Sequence, residues 1–131
     1  MGCDIHVFVE IKNDGQWTMV REVGRDMPGA ERDYRLFATV ASVRAGVGNP
    51  AGAVPFGLPE DLSASVAYHA NRCPDYHGHS HMTLEQACRY WIAGDSIADD
   101  YYAMKFPEYH YFGIDLESDP GEYRIVFWFE N

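Results

Sequence analysis

Residues 3–12 read CDIHVFVEIK, and apolar and polar side chains alternate along them. This period of two is typical of a strand with one buried face. The side chains expected on one face are Ile5, Val7, Val9 and Ile11, and those expected on the other are Asp4, His6, Phe8 and Glu10.

Three further stretches predict strands. The Asn-Asp-Gly turn at 13–15 suits a hairpin, so residues 16–23 are expected to pair with the first strand. Residues 109–117 and 122–130 predict a second pair, joined by a tight turn at 118–121. The last stretch, EYRIVFWFE, is apolar on both faces, which favours a central place in the sheet.

The middle of the chain predicts three helices, at residues 34–44, 59–72 and 83–94, while residues 73–82 are interpreted as a loop. Thr83 and Gln86 have the spacing of a capping box at the start of the third helix. We therefore expect a single α+β domain over residues 1–131. Its antiparallel sheet would have about four strands from the two chain ends, with about three helices packed on one face.

The charge is strongly acidic, at −10 for 131 residues. Residues 95–131 hold nine carboxylates against Lys105 and Arg124, a net charge of −7. Direct nucleic-acid binding is disfavoured, because phosphates require a basic surface. A basic protein partner or a metal fits better, although a solvated acidic face would also explain the charge. The predicted partner-binding residues are Asp95, Asp99, Asp100, Asp115, Glu117, Asp119 and Glu122.

The cellular compartment is predicted from two kinds of pattern that the sequence lacks, cysteine pairs and targeting segments. The three cysteines have neither disulfide-framework nor metal-hairpin spacing, which favours a reducing compartment. No signal-peptide pattern and no apolar run of membrane-spanning length occurs. We expect a cytoplasmic protein without membrane association.

Two clusters of polar residues could carry chemistry. The first holds Asp4, His6 and Glu10 on one strand face. The second is the alternating set His77, His79 and His81, whose imidazoles could share one ion. Together with Asp4 and His6, these histidines form a candidate site for a single zinc, manganese or iron ion.

If this site is an enzyme, it would activate water for hydrolysis of a phosphoester or amide bond. Asp4, His6 and Glu10 are the candidate catalytic residues, with Asp4 or Glu10 as general base. The structural alternative is a polar loop of hydrogen-bonded histidines and a buried Asp4–His6 pair at the chain start.

The aromatic residues leave a nucleotide-binding alternative open, because such rings can stack a base. They would otherwise be core and sheet-face residues. The set is Tyr101, Tyr102, Tyr109, Tyr111, Phe112, Phe127, Trp128 and Phe129.

Three segments carry a resemblance to a known group of proteins: GCDIH at 2–6, GHSH at 78–81 and VFWFEN at 126–131. The chain resembles a family of small uncharacterised bacteriophage and prophage proteins that have similar segments at these places. RLFA at 35–38 and GLP at 57–59 also fit. The resemblance implies an accessory protein of a phage or mobile element, located in the cytoplasm of a bacterial host cell, without implying a mechanism.

In that context the sequence favours a binding-type inhibitor of a bacterial defence system, of the anti-CRISPR or anti-restriction kind. Its acidic surface would meet the basic nucleic-acid channel of a host protein. A metal-dependent hydrolase and a nucleotide-binding protein are the alternatives.

Overall fold

The structure is a computed structural model that describes residues 2–24, 30–94 and 111–131, with only the backbone of residues 92–94. Seven elements follow one another along the chain. They are β1 (Asp4–Asn13), β2 (Gln16–Glu22), α1 (Tyr34–Ala41), α2 (Ala64–Ala70), β3 (His77–Thr83), α3 (Leu84–Gly94) and β4 (Glu122–Glu130).

The four strands form one antiparallel sheet in the order β2-β1-β4-β3. The predicted α+β class, with four antiparallel strands and three helices, is confirmed. The hairpin between β1 and β2 turns at Asp14 and Gly15, which both have positive φ, as the Asn-Asp-Gly sequence predicts. β4 lies between β1 and β3, and residues 123–129 are buried, so its predicted central place is also confirmed.

One strand was assigned to the wrong stretch. Residues 109–110 lie outside the described residues, and residues 111–117 form a helical turn followed by loop. The strand beside β4 is instead His77–Thr83, inside the stretch interpreted as a loop. The aromatic residues near 111 have strand propensity, but Tyr111, Phe112 and Ile114 are buried in the core from a helical turn and a loop, because tertiary packing overrides local propensity here.

β3 forms a strand because it pairs with β4 and not because of its own strand propensity. It lies at the sheet edge, where Ser80 and Met82 are buried and the histidines are only partly covered. Local propensity does not reveal such a polar edge strand, because strand preference depends strongly on what the neighbouring strand offers.

The helices begin at capping residues that the sequence contains. Asp33 accepts hydrogen bonds from the first-turn amides of α1, and Ser63 accepts one from Val66 N in α2. α2 therefore begins five residues later than Pro59, the predicted start. The capping box of α3 is present: Gln86 N donates to Thr83 Oγ1 at 3.1 Å, and Thr83 N donates to Gln86 Oε1 at 3.2 Å.

The sheet has two faces that different helices cover. We call the side that carries Ile5, Val7 and Val9 the apolar face, against which α1 and α3 pack. We call the side that carries His6, Phe8 and Glu10 the mixed face, on which α2 packs through Val66 and Ala70. The expectation that all three helices pack on one face is therefore wrong. α2 is short and follows a turn-rich segment that crosses to the other side of the sheet.

Within the described part of the chain, no helix has both the length and the apolar character that crossing a bilayer requires.

Candidate functional site

The first strand and the histidine segment meet on the mixed face. β1 and β3 flank β4, and Trp128 of β4 lies between His6 and His79. Its ring centroid is 6.1 Å from that of His6 and 5.7 Å from that of His79. Tyr76 completes the group, at 5.0 Å from the His6 ring. We call these four residues the His–Trp cluster.

The cluster has few hydrogen bonds for its polar content. His6 Nε2 lies 3.5 Å from Glu130 Oε1, and the two side chains are 19% and 32% exposed. That separation makes the contact mainly electrostatic. His6 Nε2 and Trp128 Nε1 are both buried without a hydrogen-bond partner among the described residues. Burial, followed by the nearby His77, lowers the pKa of His79, so the His79 ring is neutral at pH 7.

The three histidines of β3 have separate surroundings. His77 Nε2 lies 3.3 Å from Asn131 Oδ1, and its ring contacts Phe129. His79 contacts Trp128 instead, and His81 Nδ1 lies 3.0 Å from Gly57 O. The predicted metal set of His77, His79 and His81 with Asp4 and His6 is thus not assembled. Within residues 2–24, 30–94 and 111–131, no three His, Cys, Asp or Glu side chains are placed to hold an ion.

A local irregularity separates His77 from His79, whereas His79 and His81 both lie on the mixed face and contact different groups. Gly78 has φ of 65°, and the pairing register of β3 shifts between His77 and Ser80. The shift breaks the alternation that would place side chains i and i+2 on the same face. Only glycine fits this place well, because a Cβ would lie 2.9 Å from Phe129 Cδ2.

Asp4 is held by a cation. Its Oδ1 accepts a hydrogen bond of 2.6 Å from Arg32 Nε, and this contact raises the pKa of Arg32. An ion-paired carboxylate is a weak proton acceptor, so this arrangement does not prepare Asp4 to be a general base.

Glu10 belongs to a buried ion-pair network and not to the His–Trp cluster. It is fully buried, and its two oxygens accept hydrogen bonds from Arg124 Nε at 2.6 Å and Ser63 N at 2.9 Å. Arg124 also donates to Asp61 Oδ1 at 2.7 Å, which lowers the pKa of Asp61. The guanidinium lies 4.1 Å from the centroid of the Trp17 ring. The network therefore fastens the start of α2 to the sheet.

The sequence interpretation missed Arg124, although one signal was present. It is the only Lys or Arg of β4, in a strand that is otherwise apolar or acidic. A cation in a buried central strand requires a carboxylate partner on a neighbouring strand. Glu10 is its direct cross-strand neighbour.

The predicted acidic surface is described in part. Asp95, Asp99 and Asp100 lie outside the described residues. We call residues 115–122 the acidic turn; its four carboxylates, Asp115, Glu117, Asp119 and Glu122, are all exposed. Asp115 shapes this turn, because it accepts hydrogen bonds from Glu117 N at 3.1 Å and Ser118 Oγ at 3.0 Å.

The aromatic residues of the nucleotide-binding alternative are buried where they are described. Tyr111, Phe112, Phe127 and Phe129 belong to the core of the apolar face, and Trp128 is 1% exposed. Tyr101, Tyr102 and Tyr109 lie outside the described residues. None of the described rings of this predicted set presents an exposed face on which a base could stack.

Two cavities lie beside the acidic turn, at the end of β3 and β4 nearest to it. They have volumes of about 380 and 440 Å³ and share Thr83, Glu122 and Tyr123 in their walls. This size is in the range of ligand-binding clefts.

Comparisons of the chain with protein-family models, with curated proteins and with solved structures give no match. The functional argument therefore rests on the geometry described above.

Proposed function

We propose that this chain is a binding protein that docks on a basic partner protein through its acidic turn. We further propose that it is an accessory protein of a phage or mobile element and inhibits a bacterial defence protein that handles nucleic acid. The observation that carries the proposal is a run of four exposed carboxylates, Asp115, Glu117, Asp119 and Glu122.

The four carboxylates of the acidic turn differ from Asp4 and Glu10 in their ion-pair partners. Among the residues that the structure describes, no Lys or Arg forms an ion pair with any of the four. The two carboxylates of the mixed face differ in this respect, because Asp4 and Glu10 each bind an arginine. An exposed surface of one charge accelerates association with an opposite surface and selects against like-charged partners.

The arrangement favours binding over hydrolysis. The candidate general bases are engaged in ion pairs, and the described part of the chain has no group of three metal ligands. A docking surface needs only the exposed charge and a fixed turn, and the bonds from Asp115 supply that turn.

The test uses bacterial strains that each carry one CRISPR or restriction system and are challenged with a sensitive phage. Expression of the protein is expected to restore plaque formation in at least one strain. The variant Glu117→Gln/Asp119→Asn/Glu122→Gln is expected to lose this effect by about tenfold or more, as loss of charge complementarity would cause.

A matched control changes the same number of exposed carboxylates elsewhere. The variant Glu22→Gln/Glu60→Gln/Asp75→Asn has the same net charge and leaves the acidic turn intact. We expect it to protect phage as well as the original chain does. Equal loss in both variants, or no response in any strain, would refute docking through the acidic turn.

A further inference from the structure

The two cavities beside the acidic turn adjoin each other at the end of β3 and β4, and we call them together the β3–β4 groove. Thr83, Glu122 and Tyr123 are shared by both lobes. Leu116 and Glu85 line the first lobe, and Phe56 and Trp17 line the second. The groove therefore offers an apolar surface and a carboxylate in close succession.

The apolar wall of the groove is exposed and held in place. Phe56 is 70% exposed and Leu116 is 40% exposed, which is unusual for such large apolar side chains. The backbone that carries Phe56 is fixed: its N donates to Ser80 Oγ at 3.1 Å, and Gly57 N donates to His79 O at 2.9 Å. An exposed ring on a fixed backbone is preorganised for contact, since little entropy is lost on binding.

The charge of the groove selects the occupant. Glu122 lies in the shared wall, Glu85 lies in the first lobe, and the acidic turn continues from Glu122 toward Asp115. Arg124 is the one Lys or Arg among the described lining residues, and Glu10 and Asp61 already bind it.

Two further cations lie near the groove, Lys12 and Arg89. Lys12 is the cross-strand neighbour of Glu122 on β4, and its Nζ lies 5.8 Å from the centroid of the Trp17 ring. It offsets part of the charge of Glu122. Arg89 Nη2 lies 2.7 Å from Glu85 Oε1 and forms an ion pair with it. Asp115, Glu117 and Asp119 of the acidic turn still leave an excess of negative charge beside the groove.

We propose that the β3–β4 groove binds an extended basic segment of the partner protein. In that segment Lys or Arg alternates with apolar residues. Apolar side chains of that segment contact Phe56 and Leu116, while its cations lie at Glu122 and at the other carboxylates of the acidic turn. This inference rests on the proposed function, because it gives the acidic turn a defined binding groove and a defined class of peptide.

The test measures binding of synthetic peptides to the full chain by calorimetry, with amide chemical shifts to locate the site. The first peptide is Gly-Arg-Leu-Lys-Phe-Arg-Leu-Lys-Gly. The second replaces each Arg and Lys with Glu, and the third replaces each Leu and Phe with Ser. We expect the first to bind and to shift amides around Phe56 and Glu122. The second is expected not to bind, and the third to bind about tenfold more weakly, which corresponds to about 1.4 kcal/mol.

Variants of the chain separate the groove from the acidic turn. Phe56→Ser removes an exposed ring without opening the core. It is expected to weaken binding of the first peptide by about tenfold, because one apolar contact is lost. Val47→Ser is the control, since Val47 is fully exposed and lies outside the described walls of the groove. It is expected to bind unchanged.

The outcomes distinguish the two proposals. In one outcome, Glu117→Gln/Asp119→Asn/Glu122→Gln abolishes phage protection but Phe56→Ser leaves peptide binding unchanged. The acidic turn then docks on its partner, and the groove is not the binding site. Absence of binding by the first peptide at about 1 mM, where even a weak complex forms, overturns the groove proposal. Equal binding of the first and third peptides also overturns it, because charge alone would then explain the contact.

Discussion

The two faces of the sheet are both buried, but by different kinds of side chain. On the apolar face, α1 and α3 cover aliphatic and aromatic residues, as in the contact of Phe37 with Phe129. On the mixed face, α2 covers a smaller apolar patch, flanked on one side by the His–Trp cluster and on the other by the Arg124 network.

The difference shows two ways of specifying one sheet. Burial of an apolar face is nondirectional and tolerates exchange of one apolar residue for another. The mixed face requires particular partners, because a one-residue slip of β4 would move Arg124 to the opposite face from Glu10. We infer that the mixed face fixes the register while the apolar face supplies most of the hydrophobic stabilisation.

The largest expected effect comes from breaking the buried ion pair. Arg124→Met leaves the Glu10 carboxylate buried without its partner, so the free energy of unfolding should fall by about 3–5 kcal/mol. Urea denaturation at pH 7 measures the change. A loss of this size would show that stability depends on this ion pair of the mixed face as strongly as on the core of the apolar face. Truncating a large aromatic residue in such a core costs a similar amount.

A double-mutant cycle checks that the pair itself is responsible. Glu10→Met/Arg124→Met should be less destabilised than the two single variants together predict, with a coupling of about 1 kcal/mol or more. If the effects simply add, the two side chains do not interact as described, and the mixed face does not depend on this pair.

The next effect concerns the irregularity of β3. Gly78→Ala places a Cβ in the left-handed region and 2.9 Å from Phe129 Cδ2, so we expect a loss of about 2–3 kcal/mol. Gly48→Ala is the matched control, because Gly48 has φ of 84° with no atom within 4 Å of its Cβ position. It should lose only the conformational part, about 1–2 kcal/mol. Equal losses in thermal denaturation would show that the close approach to Phe129 is not a constraint.

The apolar face was largely predictable from sequence, because its signals are local. The alternation of residues 3–12, the Asn-Asp-Gly turn and the capping box at Thr83 each indicate one element without help from the rest of the chain. The central place of β4 followed from its apolar residues on both faces.

The mixed face was not predictable in the same way, because its structure depends on contacts between distant residues. Glu10 and Arg124 are 114 positions apart, so the apolar surroundings of Arg124 indicate that it needs a partner but nothing local identifies Glu10 as that partner. The histidine segment forms an edge strand because it pairs with the side of β4 that β1 does not occupy. The positive φ at Gly78 and the register shift beside it then separated the side chains of His77 and His79, which a regular strand would have aligned.

A smaller effect is expected from pH at the His–Trp cluster. Burial lowers the pKa of His79, so the unfolded chain binds a proton more readily than the folded chain does. The stability from this group is present above the usual histidine pKa of about 6.5 and declines as the pH falls below it. The urea midpoint should therefore decrease between about pH 7.5 and pH 5.5, and His79→Gln should reduce that decrease.

Replacing another partly buried histidine serves as the control for this pH effect. His69 contacts Phe8 on the same face, and His69→Gln makes the same substitution outside the His–Trp cluster. A pH dependence that His69→Gln removes and His79→Gln does not would assign the titration to α2 and away from the His–Trp cluster.

The smallest effect on stability should come from the acidic turn, although it is the region with the largest proposed role in binding. Glu117→Gln/Asp119→Asn/Glu122→Gln changes exposed side chains that no Lys or Arg neutralises in the described part of the chain. The free energy of unfolding should therefore change by less than about 0.5 kcal/mol, or rise slightly at low salt as repulsion is relieved. Thermal denaturation at low and high salt measures this. A loss of more than about 2 kcal/mol would mean that these carboxylates stabilise the fold itself, since surface changes seldom cost so much.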